Sequence, residues 1–234
     1  QAIGKETALT FIKGFTHRSL PELNLLLSHD DQRVRQAAQF AMVENGSGSI
    51  DALAENLKSE NAKNQSSLHS IWALGQLYRN GYEEAGKYLI SSLSADDSEI
   101  RANAARTCGD ISLAISKEPL LSLLNDPSLR VVSLAAIALG RVSTVGDSQT
   151  VDALFRRCES NEDSFDVTIR HSILSALSRL ATPEQTLLRV KAESFEQRMI
   201  ALLLCRRLAH PYLEQFLNDE SQAIRNEAVS AIYD

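Results

Sequence analysis

The stretch that decides the fold is Asp96-Asp97-Ser98-Glu99-Ile100-Arg101-Ala102-Asn103-Ala104-Ala105-Arg106-Thr107-Cys108-Gly109-Asp110. An acidic residue that can cap a helix is followed by an aliphatic residue, by arginine, and then by a run of small residues. Asp97 and Arg101 are four residues apart, so on a helix they lie on one face. The pattern therefore predicts a helix that begins after Asp97 and buries Ile100 in its first turn.

The same order of cap residue, aliphatic residue and arginine recurs along the chain. Three further copies keep both charged residues: Asp31 with Arg35, Asp126 with Arg130, and Asp166 with Arg170. Two weaker copies have serine at the cap before Arg198 and Arg225, and another has His69 in place of the arginine. Successive register positions are 34, 32, 29, 40, 28 and 27 residues apart, which is the period of a helical solenoid. The predicted fold class is all-α, an α-α superhelix of helical hairpins.

The repeats divide the chain into a short leading segment and one array. Residues 1–20 lack the pattern and are predicted to cap the first repeat. Repeats are predicted over residues 21–46, 49–81, 82–111, 118–143, 149–181, 183–209 and 211–234. Each is expected to hold a first (A) and a second (B) helix, with polar loops at 58–65 and 159–164. A first residue that is not Met, and an end without a polar closing helix, favour a piece of a longer protein.

Composition excludes several function classes. Hydrophobic residues make up 44% of the chain and charged residues 23%, which is typical of an ordered protein. The net charge of −6 argues against a nucleic-acid partner, since phosphate binding needs clustered Lys and Arg. The longest nearly apolar stretch, Val131 to Gly140, is far shorter than the roughly 20 residues that cross a bilayer. We therefore predict no membrane span.

The register residues are interpreted as structural rather than catalytic. Aspartate is favourable at a helix start, and arginine can bond an acceptor on the adjacent repeat. A line of ligand-binding arginines is the less favoured alternative. The predicted structural ladder consists of Asp31, Arg35, His69, Asp97, Arg101, Asp126, Arg130, Asp166, Arg170, Arg198 and Arg225.

No catalytic, cofactor or metal site is predicted. The chain has no Gly-rich phosphate loop, no Gly-x-Ser-x-Gly and no His-Glu-x-x-His. Its three cysteines contain no Cys-x-x-Cys pair, and Cys108 and Cys205 are predicted to be small core residues. Trp72, the only tryptophan, is predicted to lie in the core, with a ligand platform as the alternative. The partner surface is left open, and its candidates are Asn103, Arg106 and His171.

The helix pairs and the Asp-x-x-aliphatic-Arg pattern resemble HEAT repeats of the bilin-lyase-like type. Four strings give a narrower resemblance: Arg33-Val-Arg-Gln-Ala-Ala-Gln-Phe40, His69-Ser-Ile-Trp-Ala-Leu-Gly-Gln-Leu77, Ala135-Ala-Ile-Ala-Leu-Gly-Arg141 and Ile169-Arg-His-Ser-Ile-Leu-Ser-Ala-Leu177. They are similar to the HEAT segment of large planctomycete envelope proteins, between a dehydrogenase-like β-propeller and a haem-binding domain with Cys-x-x-Cys-His. That motif is absent from this chain, so no haem is assigned to it.

These observations favour a non-catalytic scaffold or protein–protein interaction module. The resemblance implies an interdomain spacer in a multidomain redox protein that is periplasmic or secreted. The expected partner is protein, either other domains of the same chain or an unknown protein. The alternative is a tetrapyrrole-handling subunit of the bilin-lyase kind, with its ligand on the concave face. No cofactor is expected in this segment under the first interpretation.

Overall fold

The computed structural model describes residues 2–58, 64–159 and 166–233. Within these residues all regular structure is helical, with no strand, so the predicted all-α helical-repeat fold is confirmed. The α-helices are α1 (Ala2–Lys13), α2 (Leu20–Leu26), α3 (Gln32–Glu44), α4 (Ile50–Lys58), α5 (Asn64–Arg79), α6 (Ala85–Ser92), α7 (Ser98–Asp110), α8 (Lys117–Ser122), α9 (Leu129–Val142), α10 (Ser148–Arg156), α11 (Val167–Leu180), α12 (Pro183–Leu187), α13 (Phe195–Arg207) and α14 (Gln222–Tyr233). Short 3₁₀ helices span Gly46–Ser49, Ala114–Ser116, Leu123–Asn125 and Pro211–Phe216.

Contacts divide the chain into two compact units, residues 1–111 and 112–234. In the first unit, α2 with α3, α4 with α5 and α6 with α7 form helical hairpins, and the B helices α3, α5 and α7 pack side by side. Helix α1 lies against α3. In the second unit, the B helices α9, α11, α13 and α14 pack in series. The A helix of the last repeat, Pro211–Phe216, is a 3₁₀ helix rather than an α-helix.

Asparagine–glycine pairs follow two of the B helices. Helix α3 ends at Glu44, and Gly46 follows with φ of +64°, a left-handed conformation that favours glycine. A Cβ at Gly46 would also lie 2.4 Å from the hydroxyl oxygen of Tyr82. Helix α5 ends at Arg79, and Gly81 has φ of +96°. Both chain reversals therefore depend on glycine.

Small residues allow neighbouring B helices to approach closely. A Cβ at Gly140 of α9 would lie 2.8 Å from Cα of Ala176 on α11, which is closer than atoms can pack. A Cβ at Gly75 of α5 would lie 2.4 Å from a methyl carbon of Thr107 on α7. At both contacts a side chain larger than hydrogen would require the neighbouring helix or its side chain to shift.

The aliphatic residue just before most register positions is buried. The fully or nearly fully buried examples are Val34, Ile100, Ile169 and Ile224. Each such side chain contributes roughly 1.5–3 kcal/mol when it leaves water. The two predicted polar loops, 58–65 and 159–164, lie largely outside the described residues. Among the helices that are described, none combines the length and apolar character required to cross a membrane.

Candidate functional site

Three of the register aspartates occupy helix N-cap positions. The Asp97 carboxylate accepts hydrogen bonds from two backbone N–H groups in the first turn of α7, at 2.7 and 3.4 Å. Asp31 and Asp166 also cap α3 and α11, Asp31 through one backbone N–H group and Asp166 through two. Hydrogen bonds donated by Arg33 lower the pKa of Asp31. These carboxylates therefore satisfy N–H groups that the helix itself leaves without acceptors.

Four of the register arginines fold back onto the turn that precedes their own helix. Nη1 of Arg101 donates to the carbonyl oxygens of Ala95 and Asp96, each at 2.7 Å, and these two residues immediately precede the cap residue. We call this arrangement the arginine clasp. The same pair of bonds joins Arg35 to His29 and Asp30, Arg198 to Ala192 and Glu193, and Arg225 to Asp219 and Glu220. The clasp thus fixes the turn between the A and B helices of one repeat.

Three register arginines also donate to a side chain of the following repeat. These acceptors are His69 for Arg35, Glu196 for Arg170, and Asp219 for Arg198. The side chains of Arg198 and Asp219 are only 7% and 6% exposed, so this is a buried ion pair. In the fifth repeat, the two residues before the cap lie outside the described part of the chain. Arg35 and Arg198 therefore contact both their own turn and the next repeat, and Arg170 contacts the next repeat.

The fourth register pair, Asp126 and Arg130, departs from the pattern. Helix α9 begins at Leu129 with Ser128 in the N-cap position, so the prediction that Asp126 caps this helix is wrong. Asp126 instead accepts a hydrogen bond from the N–H of Ser128 at 2.8 Å. Pro127 precedes a serine in extended conformation, with φ of −88° and ψ of 115°. The helix consequently starts two residues later than the pattern predicts.

This displacement also moves the buried face of α9. Leu129 is 49% exposed, whereas Val131 and Val132 are fully buried, although the repeat pattern places Leu129 where other copies bury an aliphatic residue. Burying two valine side chains removes more apolar surface from water than burying one leucine, which favours this orientation of the helix. Arg130 then lies on the exposed side of the first turn.

A polar network joins α3 and α5 in the first unit. Nδ1 of His69 lies 2.7 Å from Oε1 of Gln39, and Nε2 of Gln39 donates to Oε1 of Gln76 at 3.1 Å. Nε of Arg35 donates to Nε2 of His69 at 3.2 Å. Burial, together with the charge of Arg35, lowers the pKa of His69 to about 4. His69 is therefore neutral near pH 7 and belongs to a satisfied, buried network.

Trp72 lies one turn after His69 and connects α5 to α7. The two rings meet edge to face, with centroids 4.9 Å apart and planes at 78°, and the indole N–H donates to Oδ1 of Asn103 at 3.3 Å. The Trp72 side chain is 37% exposed, so the prediction that it lies in the core is wrong. Most other B helices carry a small residue three positions after the register residue, where a tryptophan has no room. Ala73 is buried instead, and Trp72 faces outward.

The three candidates for a partner surface have different environments. Asn103 is buried, so it supports Trp72 and offers no surface of its own, which corrects the prediction. Arg106 is exposed on α7 and forms an ion pair with Asp110 at 3.6 Å. His171 is exposed on α11 in the second unit. Only Arg106 therefore lies in the first unit as an exposed candidate.

An open groove lies between α3 and α5. It has a volume of about 450 Å³ and is lined by Phe40, Val43, Glu44, Gln76, Arg79 and Asn80. Phe40 is 45% exposed. Trp72 and Gln76 are four residues apart on α5, so Trp72 adjoins the groove. We call the surface formed by Phe40, Val43, Trp72, Gln76 and Arg79 the B-helix face. No sequence prediction named Phe40. A usable signal was that Phe40 lies five positions after Arg35, the position that Arg106 has in the third repeat.

The cysteines are core residues. All three are fully buried thiols outside any disulfide, which confirms the prediction for Cys108 and Cys205. Burial raises the pKa of Cys205 to about 11 and raises that of Cys158 further. The thiol of Cys158 donates to the carbonyl oxygen of Leu154 at 3.3 Å. Among the described residues, no group of three or more His, Cys, Asp or Glu could hold a metal ion.

The fold and the repeat geometry agree with comparisons to known proteins. Residues 50–140 match the family model for HEAT repeats. The predicted HEAT resemblance is confirmed for that range, which begins with α4 and ends at Gly140, two residues before the end of α9. No curated protein matches the chain. The narrower resemblance to planctomycete proteins stays a prediction.

One of the solved structures similar to this chain shares its fold, with a TM-score above 0.5. An engineered protein from the Northeast Structural Genomics Consortium has a TM-score of 0.52 at 17% identity, covering 92% of this chain and 67% of that one. The complex of CpcE and CpcF of phycocyanin lyase from Nostoc sp. PCC7120 has a TM-score of 0.49 at 19% identity, covering 92% and 87%. A computationally designed armadillo repeat protein for modular peptide recognition has a TM-score of 0.47 at 17% identity, covering 92% and 99%. The last two TM-scores are below 0.5, and neither likeness carries an argument about function.

Proposed function

We propose that the chain is a non-catalytic interaction scaffold that binds a segment of another protein on the B-helix face of its first unit. The observation that carries this proposal is the position of Trp72. Its ring is held by His69 and Asn103 from two different helices, yet more than a third of it faces solvent. Exposed aromatic side chains that lie together beside a groove are typical of a binding surface, and Phe40 lines the groove that Trp72 adjoins.

The geometry of the groove supports a protein partner. Phe40 and Trp72 supply two aromatic anchors, and Arg79 is exposed at the end of α5. Tryptophan and arginine are over-represented among residues that dominate binding energy. Because Trp72 is already fixed by its neighbours, little side-chain entropy remains to be lost on binding. Helical repeats then hold these side chains on a rigid surface.

A peptide-display selection against the whole chain tests the proposal. Affinities of the selected peptides are compared for the wild type, Trp72→Ala, Phe40→Ala and the control Leu25→Ala. Leu25 is a matched control because it is 75% exposed and apolar but belongs to the A helix α2. We expect Trp72→Ala to weaken binding by about tenfold or more, and Leu25→Ala by less than about twofold. Peptides that bind Trp72→Ala and Phe40→Ala as tightly as the wild type would refute the proposal.

A finer proposal is that the array fixes the distance between two other domains of an envelope redox protein. It is supported by the resemblance of the four quoted strings and by the rigidity expected of stacked helical hairpins. The reading frame around this chain tests it. A β-propeller before Gln1 and a Cys-x-x-Cys-His motif after Asp234 are the expected result, and any other pair of neighbouring domains contradicts it.

A further inference from the structure

His69 is hydrogen-bonded through both ring nitrogens, and its partners determine its protonation state. The Arg35 guanidinium can only donate, so Nε2 of His69 must accept the 3.2 Å bond. The Gln39 amide donates through Nε2 to Gln76, which leaves its Oε1 to face Nδ1 of His69 at 2.7 Å. Nδ1 therefore carries the hydrogen. The network admits one tautomer, the neutral ring protonated at Nδ1.

A second proton has no place in this arrangement. This proton would come from solvent and bind Nε2 of His69. The new N–H would then point at the N–H of Arg35, which would place two donors and two positive charges about 3 Å apart. Helix α3 otherwise presents only the neutral amide of Gln39. Helix α7 is linked to the site by the hydrogen bond from Trp72 to the neutral side chain of Asn103. No charged group of α4 or α6 contributes to the pKa shift of His69. Arg35 is thus the group that opposes protonation.

The ring of His69 also sets the position of Trp72. The two aromatic rings are in edge-to-face contact, so a histidine that rotates away from Arg35 removes the surface against which the indole packs. We propose that proton uptake by His69 is a switch that releases Trp72 from its fixed position on the B-helix face. The switch belongs to the first unit alone. It does not rest on the proposed partner, so a failed peptide selection would leave it standing.

Trp72 is the only tryptophan, so its fluorescence reports on the switch directly. Emission is titrated from about pH 7.5 to about pH 3.5, with helix content followed by far-UV circular dichroism. The wild type is expected to change emission with a midpoint well below 6.5, before helix is lost. His69→Gln is expected to lack this transition. The matched control His171→Gln, an exposed histidine in the second unit, should keep it.

Two further variants keep the test decisive even if His69→Gln does not fold. Arg35→Gln removes the opposing charge, and Gln39→Glu places a carboxylate beside Nδ1. Both should move the midpoint to higher pH by about one unit or more. An unchanged midpoint in Gln39→Glu would overturn the proposal. So would a folded His69→Gln variant with the wild-type transition, or a wild-type emission change that coincides with loss of helix.

Discussion

Replacement of Arg198 by alanine is expected to destabilise the second unit strongly. The arginine is 6% exposed and donates to the carbonyl oxygens of Ala192 and Glu193 at 2.8 Å and to the carboxylate of Asp219 at 2.8 and 3.4 Å. The substitution leaves a carboxylate buried without a counter-charge and two carbonyls without donors. Breaking a buried ion pair in this way costs about 3–5 kcal/mol.

Two details place the value near the lower end of that range. The N–H of Ser221 still donates to Asp219 at 2.8 Å after the substitution, and the Glu220 side chain is 81% exposed, so its bond to Arg198 contributes little. We therefore expect a loss of about 3 kcal/mol. Arg198→Lys keeps the charge but cannot form the same fork, so its loss should be intermediate.

Arg206→Ala is the matched control on the same helix. Arg206 and Glu227 form an ion pair whose side chains are 38% and 31% exposed, so its loss should cost less than about 1 kcal/mol. Urea denaturation followed by far-UV circular dichroism measures both variants. The midpoint of Arg198→Ala should fall by about 1 M or more, with little change for Arg206→Ala. Equal midpoints for the two variants would refute the reasoning about the buried pair.

Three other outcomes follow from the packing and the ionisable groups. Gly140→Ala should lower the free energy of unfolding measured in urea by about 1–3 kcal/mol, because the added methyl group would collide with the backbone of Ala176. Gly4→Ala, which adds a methyl group in open space, should be neutral or stabilising. The pKa of His69 is 6.5 in the unfolded chain and about 4 in the folded protein, so its contribution to stability is full above pH 6.5 and is lost as the pH falls towards 4. Between pH 7 and 4.5, the free energy of unfolding of the wild type should therefore fall by about 1–3 kcal/mol more than that of His69→Gln. Buried Cys158 and Cys205 should react slowly with a thiol reagent at pH 8 and rapidly once urea unfolds the chain, and rapid labelling of the native protein would contradict their burial.

The repeat pattern predicted the helices well because its signals are local. Asp97 caps α7 and Gly46 ends α3 through interactions within a few residues, which spacing along the chain can reveal. The pattern failed where local signals disagreed. At Asp126 and Pro127, the cap signal placed the helix start two residues too early, and α9 buries Val131 and Val132 in place of Leu129.

The candidate site was far less predictable. Trp72 faces solvent because neighbouring helices leave no room for it inside, which depends on interhelix distance rather than on spacing in one helix. Asn103 supports it from another helix, 31 residues away in sequence. The arginine clasp was missed for a different reason: Arg101 bonds backbone carbonyls, and these carry no residue-type signal. The sequence indicated which residues recur but not what they contact.

Site-specific photo-crosslinking tests most directly whether the B-helix face is the binding surface. A photoreactive phenylalanine analogue is placed at position 40 on α3 or, in a separate variant, at position 25 on α2, and each is irradiated with a peptide selected against the whole chain. Both native side chains are exposed, at 45% and 75%, so access is not limiting. The account predicts crosslinks from position 40 and none from position 25. Crosslinks from position 25 alone would contradict it.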